Sequence, residues 1–301
     1  MIRVQARGSG TTHSDYRFLG RSPDRWWDRH PASQYVRWEE TAVLAEADAT
    51  AWRAVVFGIA ALHRDALGRR TQIMLEFSGT PGDADAALLV RLLSSVLTGS
   101  EDAAHLLGTH LPPDEIEKLR AWSAIGPDRE VPVSAEAAEA EAALRVRAAL
   151  AELPDPDVEA WTDHSDHVGI AVHARTGGTN VFLSMVANLC VGHPGRALLT
   201  ASLQDQDSAG QVLDELMPYP GVSVVLVSSG ESPFAESRWR LEPAEAVVEK
   251  KGEPGGARQP VQWRRRFWRW GFWRRWLFWW RRPSPVAVAA PADDADQVQP
   301  T

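Results

Sequence analysis

Hydrophobic and polar positions in the first 80 residues alternate in short runs, which is the pattern of half-buried β-strands. Residues 2–5 alternate strictly, and residues 16–19 and 41–44 form two further short runs. The clearest hairpin pattern joins an apolar run over residues 54–62 to an alternating run over residues 71–77 through a polar turn. The pattern therefore predicts a β-rich N-terminal part that contains a hairpin.

The first arm of this hairpin has a second interpretation, because its apolar side chains between residues 52 and 62 also recur near helical spacing. Val55 and Val56 are β-branched, and Gly58 would weaken the interior of a helix. These three residues favour the strand, and we therefore predict the hairpin.

Helical periodicity takes over between residues 84 and 153. Residues 84–97 carry a broad leucine stripe, and Pro113 can open a second helix. Ser134 can cap a third helix, in which glutamates come early and arginines late, as the helix dipole favours. The Pro/Asp-rich stretch that begins at Leu153 ends this region and predicts a boundary.

Residues 158–230 alternate between near-continuous apolar strands and helices, which is typical of a parallel sheet covered on both faces. The predicted elements are strands over 168–172, 196–203 and 222–227, and helices over 180–189 and 209–217. Residues 231–260 are then rich in Pro, Gly and Glu, which indicates a linker.

Taken together, these patterns predict an α/β chain of the mixed α+β class. The periodicity does not decide whether residues 1–230 form one domain or two. We divide the chain into a β-rich plus helical N-terminal region (1–153), a small parallel α/β unit (154–230), a flexible linker (231–260), a Trp/Arg-rich segment (261–283) and a disordered tail (284–301).

Charge is distributed unevenly along the chain. The net charge is −8, yet residues 261–301 contain 8 Arg and 3 Asp, so they carry +5 and residues 1–260 carry −13. A basic appendage on an acidic body is typical of a surface-binding tail. The acidic body by itself is a poor match for nucleic acid.

Composition also indicates a compartment. Cys190 is the single cysteine, which rules out an intramolecular disulfide and favours a reducing environment. The first residues lack the apolar stretch of a signal peptide, and no run of about 18 apolar residues predicts a spanning helix. Few lysines and many alanines are typical of a high-GC bacterial genome. We expect a cytoplasmic protein that is peripherally associated with a membrane.

The segment over residues 263–282 carries the strongest functional pattern, WRRRFWRWGFWRRWLFWWRR. Tryptophan prefers the headgroup layer of a bilayer, and arginine can bury its stem while its guanidinium reaches phosphate. Each basic residue adds on the order of 1 kcal/mol at an anionic leaflet. The predicted membrane-binding residues are Trp263, Arg264, Arg265, Arg266, Phe267, Trp268, Arg269, Trp270, Phe272, Trp273, Arg274, Arg275, Trp276, Phe278, Trp279, Trp280, Arg281 and Arg282.

This segment does not form a tidy amphipathic helix, because Trp and Arg project together around a helical wheel. Spanning the bilayer would bury several arginines at roughly 2.5–3.5 kcal/mol each, so we exclude that arrangement. Two alternatives to interfacial binding remain. The first is docking to a protein partner or to the acidic body itself, and the second, which we rank lower, is stacking on single-stranded nucleic acid.

A weaker pattern lies at the predicted carboxyl ends of the parallel strands. Thr176, Gly177, Gly178 and Thr179 connect a strand to a helix, whose N-terminus could receive a phosphate. Ser228 and Ser229 follow another strand and would reach the same edge. The stretch matches no phosphate-loop motif, and a simple turn with Thr179 as the helix N-cap competes with this interpretation.

Other polar clusters predict no chemistry. Residues 163–167 hold two Asp and two His, with His173 downstream, but they match no metal-ligand spacing. Ser165 and Ser184 have no partner base. Trp26 and Trp27 are more typical of core packing. We therefore predict no catalytic residue, no metal and no cofactor.

The leading hypothesis is a non-enzymatic accessory or regulatory protein, recruited to an anionic membrane surface by residues 263–282 and using its body for protein contacts. The alternative is an enzyme or sensor that binds a nucleotide or phosphate ligand at residues 176–179.

Overall fold

The computed structural model describes residues 1–8, 17–19, 26–37, 40–64, 70–113, 115–116, 133–158, 169–216, 221–229 and 233–239. These described residues belong to one compact unit, Met1–Val247. None of the helices within them is long and apolar enough to cross a membrane.

Nine strands form one mixed sheet within the described residues. Their order across the sheet is β2-β1-β5-β4-β3-β7-β8-β6-β9. The strands are β1 (Ile2–Gly8), β2 (Arg17–Leu19), β3 (Ala42–Ala47), β4 (Trp52–Arg64), β5 (Arg70–Gly79), β6 (Gly169–His173), β7 (Gly195–Thr200), β8 (Val222–Val227) and β9 (Ser237–Trp239).

The predicted hairpin is confirmed, because β4 and β5 pair in antiparallel register. The helical interpretation of residues 52–62 is wrong. Gly58 interrupts the register between Val56 and Ile59, where it adopts a φ of 68°. A Cβ at that position would lie 2.3 Å from the carbonyl oxygen of Glu40, so only glycine fits this bulge.

The predicted parallel unit is also confirmed. Strands β6, β8 and β7 pair in parallel, and β8 lies between the other two. The helix that follows β6 packs on one face of the sheet, and the helix that follows β7 packs on the other. Near-continuous apolar strands are buried in this way on both faces.

The described helices are α1 (Asp85–Leu97), α2 (Asp102–His110), α3 (Val133–Ala151), α4 (Gly178–Cys190) and α5 (Gln206–Leu216). Helix α1 matches the leucine stripe, whereas α2 was not predicted. Pro113 is helical, as expected, but most of the helix predicted there lies outside the described residues. Helix α3 begins at Val133, so Ser134 lies in its first turn rather than before it.

Each face of the sheet supports its own apolar core, because alternate residues of each strand point in opposite directions. Helices α1 to α4 cover one face, against side chains such as Val43 and Ala45 of β3. Helix α5 and two short 3-10 helices, Trp26–Arg29 and Pro31–Tyr35, cover the other, against Leu44. Trp26 and Trp27 are buried there, in agreement with the packing role expected from the sequence.

The sheet is continuous across the predicted boundary after residue 153. Strand β3 pairs with β7, and Val43 lies opposite Leu199. Strand β9, within the predicted linker, extends the same sheet by pairing with β6. The described strands on both sides of the predicted boundary therefore belong to one sheet.

Candidate functional site

The connection between β6 and α4 is a tight turn. After His173, residues Ala174–Thr176 form one 3-10 turn, and Gly177 adopts a φ of 83°. Helix α4 begins at Gly178, with Gly177 as its N-cap and no side-chain capping bond. Thr179 therefore lies inside the helix, and its interpretation as the N-cap is wrong. A Cβ on Gly178 would lie 2.7 Å from the His173 carbonyl oxygen, which accounts for the glycine.

Ser228 and Ser229 reach the same edge of the sheet, since the last residues of β6, β7 and β8 are in register. The Ser228 N–H donates to the Thr200 carbonyl at 3.0 Å. The Ser229 hydroxyl donates to the Ala201 carbonyl at 2.6 Å. Both contacts join the chain that leaves β8 to the chain that leaves β7.

The Thr176 hydroxyl also contacts protein carbonyls. It lies 3.0 Å from the His173 carbonyl oxygen and 2.7 Å from that of Phe234. Its proton can be donated to either oxygen, so this side chain fastens residues near 234 onto the turn after β6. Among the hydroxyls expected at a ligand site, those of Thr176 and Ser229 thus contact backbone carbonyls at this edge.

His173 is fully buried at the end of β6. Its Nδ1 accepts from the Arg175 N–H at 3.1 Å, and its ring meets Phe234 edge-on with centroids 5.5 Å apart. Burial, assisted by Arg175, lowers the pKa of this imidazole, so it is neutral at pH 7 with its proton on Nε2. That Nε2 contacts no hydrogen-bond partner among the described residues.

Residues 163–167, the cluster considered for a metal, lie outside the described residues. Within the described part of the chain, no group of three or more His, Cys, Asp or Glu side chains could hold a metal ion.

The opposite end of the parallel strands holds a charged row that the sequence did not predict. Glu46 of β3 is flanked by its two cross-strand partners, Arg53 of β4 and Arg196 of β7. Arg53 Nε donates to Glu46 Oε1 at 2.7 Å, and Arg196 Nε lies 3.3 Å from Oε2. We call these three residues the charged row. The Glu46 side chain is 9% exposed, against 39% for Arg53 and 15% for Arg196.

Two aromatic side chains pack against this row. The Arg53 guanidinium lies 4.5 Å from the centroid of the Trp26 ring, a cation–π contact. His30 places Nε2 3.8 Å from Glu46 Oε2, while its Nδ1 accepts from the Ala32 N–H. Burial lowers the pKa of His30 to about 4, although Glu46 opposes the shift. His30 is therefore neutral at pH 7 and adds no charge to the charged row.

A cavity of 870 Å³ opens beside the charged row. The row lines one side, and Trp52, Asp83 and Met1 lie elsewhere on its walls. The Trp52 indole N–H donates to the Thr80 carbonyl at 3.0 Å, which fixes the aromatic wall. This volume lies within the usual range of about 300–1,000 Å³ for small-molecule pockets.

A second ion-pair group stands near the same end of the sheet. Asp85, at the start of α1, accepts two hydrogen bonds from Arg147 of α3, at 2.9 and 2.8 Å. The Met1 amine lies 2.8 Å from the same carboxylate. Arg147 and this amine lower the pKa of Asp85 to about 2.

A smaller recess of 290 Å³ lies between α1 and α4 and is mostly apolar. Val90, Val191 and Cys190 are among its lining residues. Burial raises the pKa of the Cys190 thiol to about 12, so the thiolate is scarce at pH 7.

The pairing of three strands in one sheet brings the charged row together. The contact between Glu46 and Arg53 could have been predicted from the sequence. The residues between Ala47 and Trp52 form a turn, and a hairpin closed there places Glu46 opposite Arg53. Arg196 had no such signal, because it comes from a strand 150 residues away.

No protein-family model matches this chain, and no curated protein or solved structure matches it either. Residues 263–282, the predicted membrane-binding segment, lie outside the described residues.

Proposed function

We propose that this chain is a non-enzymatic accessory or regulatory protein that binds an anionic membrane surface through residues 263–282. The observation that carries the proposal is the composition of that segment, which holds 7 Trp, 3 Phe and 8 Arg. Tryptophan favours the headgroup layer and arginine pairs with lipid phosphate. In this proposal the protein is cytoplasmic and peripheral, and its body contacts protein partners.

The charge distribution supports an arrangement in which the tail alone provides the attraction. Eight arginines at about 1 kcal/mol each could hold the chain at an anionic leaflet. Residues 1–260 carry −13, so the same leaflet repels them. The body would then face away from the lipid, where its surface is accessible to a partner.

Co-sedimentation with liposomes tests this proposal. The full chain should bind vesicles that contain anionic lipid, bind neutral vesicles weakly, and lose binding in a 1–260 truncation. Replacing Arg264, Arg265, Arg266 and Arg269 with Gln should lower the affinity for anionic vesicles by about 100- to 1,000-fold. A full-length control with the order of residues 263–282 scrambled should still bind, because the proposal rests on composition rather than on a helical face.

Two results would count against membrane recruitment. Equal sedimentation of the full chain and the truncation would place the binding in the body. Tail-dependent binding to single-stranded DNA that exceeds vesicle binding, and that weakens steeply with salt, would favour the nucleic-acid alternative.

The second candidate is a nucleotide- or phosphate-ligand-binding enzyme or sensor at residues 176–179. What favours it is the start of α4 at Gly178, at the carboxyl edge of a parallel sheet. Inorganic phosphate should then shift the backbone amide resonances of Gly178 and Thr179 in a saturable way. Unshifted amides at these positions would remove this candidate.

A further inference from the structure

We propose that the cavity beside the charged row binds a small organic oxyanion, a carboxylate or a phosphate ester, through Arg53 and Arg196. This site lies in the body of the protein and is independent of the tail-dependent function proposed above.

The two arginines come from strands that flank β3, so the sheet itself sets their separation. Glu46 stands opposite both of them in the register and contacts both guanidinium groups. Glu46 therefore acts as a positioning residue, because it holds two flexible side chains side by side in one orientation. Arginines fixed in this way lose little further entropy when they bind an anion.

Each arginine also lines the cavity. A guanidinium carries five N–H donors in a planar fork that matches the oxygens of a carboxylate or phosphate. Arg53 directs Nε and Nη2 to Glu46, and its side chain is 39% exposed. Its guanidinium also lies 4.5 Å from the centroid of the Trp26 ring.

A role in stability alone does not account well for this row. Burying a carboxylate between arginines costs desolvation free energy that well-packed apolar residues would avoid. The remaining residues of β3, from Ala42 to Ala47, are apolar and buried, so the sheet shows no need for charge at this point. Partly buried charged groups that line a cavity are instead typical of ligand sites.

The other walls set limits on the ligand. The Asp48 carboxylate accepts hydrogen bonds from Thr50 and Ala51 within its own turn. Asp83 lines the cavity and caps α1 by accepting from the Asp85 N–H at 3.0 Å. These carboxylates disfavour a second anionic group on the ligand.

Titration of the full chain, monitored by NMR of the arginine Nε–Hε groups, tests the site. The probes are sodium acetate and sodium phosphate, each compared with sodium chloride at matched ionic strength. The resonances of Arg53 and Arg196 should shift and saturate. That of Arg91, which pairs with Asp155 outside this cavity, should follow the chloride control. Saturation with acetate alone identifies a carboxylate ligand, with phosphate alone a phosphate ester, and with both the shared oxyanion chemistry.

Two variants sharpen the test. Arg53→Lys keeps the charge but loses the planar fork, and should raise the half-saturating concentration about tenfold or more. The matched control Arg91→Lys should leave it unchanged. Ala51→Phe places a ring at a lining residue outside the charged row, and should abolish saturation in a protein whose amide spectrum remains folded.

The proposal is overturned if the Arg53 and Arg196 resonances move no more than that of Arg91 with either probe. It is also overturned if a folded Ala51→Phe variant saturates at the concentrations that saturate the parent protein.

Discussion

The two ends of the parallel strands use their polar side chains for opposite purposes. At the carboxyl end, neutral hydroxyls such as those of Thr176 and Ser229 donate to backbone carbonyls and tie loops together. At the amino end, Glu46 forms ion pairs with Arg53 and Arg196 beside a cavity. Both ends are rich in polar atoms, and at the amino end the charged row lies beside a cavity.

Open α/β sheets usually bind ligands at the carboxyl ends of their strands. Among the described residues at that end, the Thr176 hydroxyl contacts the Phe234 carbonyl oxygen and His173 meets the Phe234 ring. The cavity beside the charged row lies at the other end, where Glu46 of β3 is paired with Arg196 of β7. The comparison therefore separates position in the fold from what the side chains contact.

The largest expected effect is at the charged row. Glu46→Ala leaves two arginines close together without the carboxylate between them, and should lower the free energy of unfolding by about 3 kcal/mol. Urea denaturation at pH 7 measures the loss. The matched control is Glu152→Ala, whose partner His110 lies at the surface, and it should cost no more than about 1 kcal/mol. Equal losses of unfolding free energy in the two variants would contradict the expected difference between a buried and an exposed carboxylate.

Lowering the pH should destabilise the fold, because it protonates the Asp85 carboxylate near the amino end of the parallel strands. The pKa of Asp85 is lowered to about 2 in the folded protein, below its usual value near 4. A lowered pKa stabilises the fold above the unfolded pKa, and this contribution is lost as pH falls from about 4 to about 2. Asp85→Asn should cost about 1–2 kcal/mol at pH 7, a value reduced for the partial exposure of Arg147.

Urea denaturation of both proteins at a series of pH values between 7 and 2 measures this dependence. The gap between the parent protein and Asp85→Asn should close as pH approaches 2. Asp155→Asn is the control, because its carboxylate is 81% exposed, and it should differ little from the parent at any pH. A gap that stays constant down to pH 2 would contradict the role of the Asp85 charge.

The smallest effect is expected at the carboxyl end. Thr176→Val removes the hydroxyl that contacts the carbonyls of His173 and Phe234, and should cost about 1 kcal/mol. Because no charge is involved, the loss should be the same in dilute buffer and in 1 M salt. The control Thr109→Val removes an exposed hydroxyl bond within α2 and should be nearly neutral. A strong salt dependence in Thr176→Val would show that this end also relies on charge.

Much of the fold followed from local pattern, and the failures have physical reasons. The β4–β5 hairpin and the parallel unit were predictable because periodicity and turn residues agree there. Helix α2 was missed because it has nine residues, contains Gly108, and starts without a side-chain capping bond. Strand β9 has three residues, too few for alternation to be visible.

The candidate sites show the same division between features that follow from local pattern and features that depend on distant contacts. Residues 176–179, 228 and 229 were correctly brought to one edge, since each follows a predicted parallel strand. Their hydrogen bonds were not predictable, because the partner Phe234 belongs to a stretch that looked like a linker. The charged row required the pairing of β3 with β7, and no local pattern encodes a contact between distant strands.

That pairing also has a consequence for the order in which the protein can fold. While the chain is being synthesised, β3 forms the edge of the N-terminal strands until β7 arrives 150 residues later, on the order of 10 s at ordinary elongation rates. Five of its six residues are apolar, and all six are buried in the finished sheet, so the waiting edge is largely apolar and open to other nascent strands. We therefore expect the ribosome-bound intermediate, rather than the completed protein, to be the form that requires a chaperone.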